Sequence, residues 1–203
     1  MSFKILLLIF LIQTLITFTI AAPFLAVCKI LRSEVPTGGV PITGSISFSQ
    51  EVEGQPVNVI IKISGLKKGL HALHIHENGE IKTSCADAGA HYNPFNVKHG
   101  DRLSPIRHIG DLGNIEVLAD YQETNIIYND LLIGITGTNL YNIVNKACVV
   151  HQGVDDLGLT SSPQSAINGN SGAMLGCGTV VVKGTSYLSS LFILLIMVFV
   201  SIM

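Results

Sequence analysis

Residues 57–64 (VNVIIKIS) set Val57, Val59, Ile61 and Ile63 in alternation with Asn58, Lys62 and Ser64, and the run ends at Gly65. A period of two puts the branched residues on one face, which is the pattern of a half-buried strand and not of a helix. Shorter strands are expected at Ala26–Leu31, Gly44–Ser49, Ile115–Ala119, Ile126–Tyr128, Leu132–Ile135, Ala147–Val150 and Thr179–Lys183, separated by Gly, Asn, Pro and Asp clusters. Segments 77–114 and 152–176 are long and polar, with no helical period. Loops of that length in a compact domain are as a rule functional. The chain therefore reads as an antiparallel sandwich or barrel with two elaborated loops and little helix.

Both ends are apolar. Lys4 precedes an uncharged run at 5–20 that closes on Ala21 and Ala22, the layout of a secretory signal peptide over residues 1–22. Pro23 hinders cutting after Ala22, so Ala21 is an alternative site, and a retained anchor is the competing reading. Residues 188–203 are also uncharged. As a helix they span about 24 Å, short of a ~30 Å hydrocarbon core. With Gly184, Thr185 and Ser186 just before it, segment 184–203 reads as a lipid-anchor signal, or else a short membrane anchor. Either way the domain faces the secretory pathway and then the extracellular side or cell surface.

Residues 23–183 are enough for one domain with a core. Of 12 basic residues Lys4 leaves with the leader, so against 14 acidic ones the net charge is about −3. There is no basic run, which argues against nucleic acid as a partner.

All seven histidines fall between His71 and His151: His71, His74, His76, His91, His99, His108 and His151. His74 and His76 end a strand-like run, and residues i and i+2 of a strand share a face, so both rings reach one ion. Asp111 lies three residues beyond His108. Imidazoles with one carboxylate suit a transition metal and not calcium.

The segments GLHALHIHENG (69–79), AGAHYNP (88–94), KHG (98–100), RHIGDLGN (107–114), VVHQGVDDLG (149–158) and GNSGAMLGCG (169–178) resemble the copper/zinc superoxide dismutase family. The resemblance covers residues 26–182 and implies an eight-stranded antiparallel Greek-key β-barrel. It implies copper on His74, His76, His91 and His151, and zinc on His91, His99, His108 and Asp111. His91, the bridge between the metals, and His151 are the catalytic positions it carries over. In the family the bridging imidazolate leaves copper on reduction, takes up a proton and supplies it to the departing peroxide. Asp155 matches the aspartate that links copper and zinc histidines, and His71 a histidine that packs beneath the site. Superoxide is the implied substrate, and a homodimer and a copper donor are implied partners.

Of the four cysteines, Cys28, Cys85, Cys148 and Cys177, the resemblance selects a Cys85–Cys177 bridge. Cys28 and Cys148 either form a second bridge or stay buried as small hydrophobes. One position departs from the family: Met174 stands where an arginine binds and guides the anionic substrate. No arginine follows Arg107, and the loop 157–169 has no ionisable side chain. The expectation is a dismutase with weakened electrostatic steering. The alternative is a copper-binding or decoy surface protein that keeps the fold. Met174 is read as an apolar filler, with a thioether contact to Cu(I) as the competing role.

Overall fold

The alternating segments become nine strands: β1 (Phe24–Lys29), β2 (Arg32–Ser33), β3 (Thr43–Gln50), β4 (Val57–Ser64), β5 (Gly69–His76), β6 (Asp111–Val117), β7 (Thr124–Asp130), β8 (Ala147–His151) and β9 (Met174–Val182). The computed structural model describes residues 22–35 and 39–184. Apart from Ala22 and Gly184, the expected leader and the C-terminal apolar segment lie outside the described residues. Among the described residues no helix is long and apolar enough to cross a membrane.

The strands run antiparallel in the order β6-β5-β8-β9-β1-β3-β4-β7, with two-residue β2 added beside β9. The end strands β6 and β7 meet, so eight strands make a nearly closed Greek-key barrel. Central β4 pairs with β3 from Thr43↔Ser64 to Ser49↔Asn58, and with β7 from Val57↔Asp130 to Ile63↔Thr124. That register turns Val57, Val59, Ile61 and Ile63 inward, where they are fully buried with Ile46 and Phe48. Each such side chain contributes roughly 1.5–3 kcal/mol on burial.

The strand expected at Ile115–Ala119 lies at Asp111–Val117, starting inside the segment read as loop, and two further expectations change in the structure. Leu132–Ile135 is not a strand. Asp130 Oδ1 accepts the backbone N–H of Leu132 (2.8 Å) and Ile133 (3.0 Å), and Gln50 Oε1 accepts that of Ile135 (3.2 Å). Side chains thus replace the ladder, and Ile133 and Ile135 join the core as buried residues. The last strand begins five residues early, at Met174, inside a glycine-rich segment that reads as loop. Its Gly178 passes so close to the Lys29 carbonyl that no Cβ fits there. Glycine here permits close strand approach, not a turn.

Both cysteine pairs are joined, Cys28–Cys148 with Cα atoms 6.4 Å apart and Cys85–Cys177 at 5.7 Å. The first resolves the open alternative in favour of a bridge.

Candidate metal centre

Strand ends place three of the histidines. His74 and His76 close β5, and His151 closes β8 beside it, with His74↔Val149 and His76↔Ala147 in register. A bulge after Val150 sets His151 opposite Met174 of β9. His91 arrives from the long loop and bridges to His76. One donor atom each from His74, His76, His91 and His151 lies within 4.8 Å of the others, and all four residues are buried.

Hydrogen bonds leave one nitrogen of each ring facing the group. His76 Nδ1 donates to Gly89 O (2.8 Å), and His151 Nδ1 to Gly172 O (3.3 Å). Their Nε2 atoms approach to 3.2 Å. His74 is turned the other way, with Nε2 on Asp155 Oδ2 at 2.9 Å. Burial, followed by the charge of neighbouring His91, pushes His74 down to about 3 and His76 well below the usual histidine range. Burial likewise lowers His151 to about 4 and depresses His91. The cluster is neutral at pH 7, the form in which imidazole binds metal.

The second cluster converges on one oxygen. Asp111 Oδ1 lies 3.0 Å from His91 Nδ1, 2.9 Å from His99 Nδ1 and 3.1 Å from His108 Nδ1. The other oxygen accepts the backbone N–H of His108 (2.8 Å) and Gly100 (3.1 Å). Against the burial that would raise it, hydrogen bonds from His108, His91 and His99 hold the Asp111 carboxyl far below the carboxylate range. His99 moves upward to about 9: burial opposes, but bonds to Asp111 and Asp155 prevail. Donor atoms of His74, His91, His99 and Asp111 also lie within 4.8 Å of one another, with His74 where the sequence expectation has His108. The Nδ1 contacts favour His108, because the His74 ring is committed through Nε2 to Asp155 and its Nδ1 to the first cluster. His108 is turned to suit, with Nε2 donating to Val97 O at 3.0 Å.

Asp155 ties the clusters together: Oδ2 meets His74 Nε2 at 2.9 Å and Oδ1 meets His99 Nε2 at 2.6 Å. His71 lies beneath, its Nδ1 3.1 Å from His151 O and its Nε2 2.9 Å from Lys67 O. Sequence reasoning missed Asn114, which exchanges two bonds of 2.8 Å with the Asp155 backbone. It also missed the buried pair of Arg107 and Asp130, at 2.6 and 2.8 Å, whose guanidinium also holds the His108 and Ile109 carbonyls. The arginine stands in a quoted motif, but nothing in the sequence names its partner 23 residues on.

Met174 packs against buried Cys85, Ala88, Ala147, Val149 and Cys177, which fits an apolar filler. Loop 152–173 carries a four-residue helix, Ser165–Asn168 (α1). Its start is organised by Asp156, which accepts Ser165 Oγ (2.8 Å), Thr160 Oγ1 (2.6 Å), Gly158 N–H (3.1 Å) and the Asn170 amide. Beside His91 and His108 lies a cleft of about 380 Å³, and the one cation among its lining residues is Lys98.

Do these residues fit metal ions? His74 Nδ1 and His91 Nε2 are buried with no hydrogen bond. An orphaned buried polar group costs about 1–3 kcal/mol. Two gathered in one place, both imidazole nitrogens, are what bound metal would satisfy. The donor types suit copper and zinc.

A Greek-key barrel carrying two histidine clusters that both include His91 defines a two-metal centre. The family model for copper/zinc superoxide dismutase matches residues 42–180. Superoxide dismutase (Cu-Zn) 4 of Dictyostelium discoideum is 46% identical over 140 residues, covering 69% of this chain and 91% of that protein. Extracellular superoxide dismutase (Cu-Zn) of Drosophila melanogaster is 39% identical over 156 residues, 75% and 83% of the two chains. A superoxide dismutase (Cu-Zn) of Onchocerca volvulus is 42% identical over 151 residues, 73% and 94%. The chain belongs to the copper/zinc superoxide dismutase family, with copper and zinc as its cofactors and superoxide as its substrate.

Proposed function

We propose that the domain at 23–183 is a working extracellular or cell-surface superoxide dismutase, with copper held by His74, His76, His91 and His151 and zinc by His91, His99, His108 and Asp111. The observation that carries this reading is His91, whose Nδ1 faces Asp111 while its buried Nε2 has no partner. Bound copper supplies a one-electron couple that superoxide alternately reduces and reoxidises, which zinc cannot do. His91 holds or releases a proton at Nε2, the side toward the first cluster. Asp155 fixes the rings of His74 and His99, and His151 completes the copper set. Met174 leaves the substrate anion without an adjacent cation, so weakened steering belongs to this reading.

The leader pattern, two disulfides and an extracellular relative support secretion. Segment 184–203 is proposed as a lipid-anchor signal or short membrane anchor. A homodimer and a copper donor rest on the family resemblance alone.

Metal analysis and a dismutation assay on the same purified sample test the proposal. Copper and zinc near one each per chain are expected, with activity abolished in His151→Ala. Activity at background with copper fully loaded would leave the alternative, a copper-binding or decoy surface protein.

A further inference from the structure

His76 is fixed by a carbonyl that belongs to a loop, and two residues outside every quoted motif grip that loop from beyond the barrel path. β2 docks on β9, with Leu31 N–H donating to Cys177 O (3.0 Å) and Glu34 N–H to Leu175 O (2.7 Å). From this strand Arg32 Nη1 donates to Thr83 O (2.6 Å) and Nη2 to Lys82 O (3.2 Å). Glu34 Oε1 accepts the Cys85 N–H at 3.0 Å. Inside the loop the Asp87 carboxylate gathers the N–H groups of Lys82 (2.9 Å), Thr83 (2.6 Å) and Ser84 (3.2 Å). Residues 82–87 therefore move as one piece. After the 3₁₀ turn Cys85–Ala88 comes Gly89 at φ 75, and its carbonyl accepts the His76 Nδ1–H at 2.8 Å.

The Cys85–Cys177 bridge holds this piece at one residue, and backbone bonds from Glu77 N–H to Ala90 O (2.9 Å) and from Asn78 N–H to Ala88 O (3.0 Å) hold its far end beside Gly89. Arg32 and Glu34 hold its near end, at Lys82, Thr83 and the Cys85 N–H. A histidine's free nitrogen is defined by the hydrogen bond its other nitrogen makes.

We propose that Arg32 and Glu34 are positioning residues for the copper site: through the 82–89 loop they fix the tautomer and ring angle of His76. The inference rests on the copper reading of that histidine. Its test begins with the metal-free full chain, where ¹⁵N shifts report the His76 tautomer without any metal. The unsubstituted chain is expected to show a single Nδ1–H form. Arg32→Ala and Glu34→Ala should mix the tautomers, alter the Cu(II) paramagnetic resonance spectrum and lower copper affinity roughly 10-fold, the lower end for outer partners of metal ligands. Glu34→Gln, which keeps an oxygen acceptor, should restore all three. If both alanine variants lowered only the melting temperature, the inference would fall, because a merely structural clamp leaves tautomer and spectrum unchanged. Should an alanine variant not fold, Arg32→Lys gives the same readout from a milder change. Failure of the dismutase reading looks different: the unsubstituted chain itself would bind no copper.

Discussion

The two long loops over the metal centre are built from opposite materials. The segment between β5 and β6 is tied by a disulfide, by the Arg107–Asp130 pair and by the Asp87 carboxylate, and it supplies His91, His99 and His108. The segment between β8 and β9 has no ionisable side chain beyond Asp156. Neutral hydroxyls and an amide gather around that carboxylate, while Leu159 and Ile167 lie exposed. It keeps its shape with no basic side chain of its own. On the proposed reading, holding metal and drawing in an anion are separable tasks, and the weakened one is the second.

Acid should break the comparison most visibly. His74 and His151 titrate in the folded chain near 3 and 4, against about 6.5 unfolded. The unfolded state therefore binds protons first as pH falls, and stability drops from pH 6.5 toward 4. The slope is up to about 1.4 kcal/mol per unit for each ring. His99 is shifted the other way, so its contribution is fully present below 6.5 and fades as pH rises through about 9. Urea unfolding of the metal-free protein across this range checks the sign, and a flat profile from pH 7 to 4 would contradict it. Next comes Asp155→Asn, which touches the one side chain by which the second loop reaches both clusters. Metal affinity should fall about 10–100-fold, read by competitive chelator titration. An unchanged affinity would mean that the second loop takes no part in holding metal. The smallest effect is expected from Met174→Arg. Steering fields are worth about 10–10³-fold in rate, and one cation should recover roughly 10-fold at low salt. Added salt should erase that gain, and a rate indifferent to both would show that charge is not what the site lacks.

The barrel was legible because its face pattern is local: Val57 to Ile63 display the period on their own. The seven candidate ligands were legible as residue types at fixed intervals, and the fold brings them together. The residues that aim those ligands were not, because their partners are distant and chemically ordinary. Asn114 meets the Asp155 backbone across 41 residues, and Glu34 meets Cys85 across 51. Leu132–Ile135 misled for a related reason: the run is apolar enough for a strand, but Asp130 and Gln50 capture N–H groups that a neighbouring strand would need.

The two disulfides interleave along the chain, 28 to 148 and 85 to 177. Any single backbone cut between Cys28 and Cys177 falls inside at least one of these covalent rings. A protease nicking the exposed tips at Leu103 or Leu159 therefore leaves one molecule, not two. That makes loop damage survivable: the severed ends stay tethered near their native places until a reductant arrives.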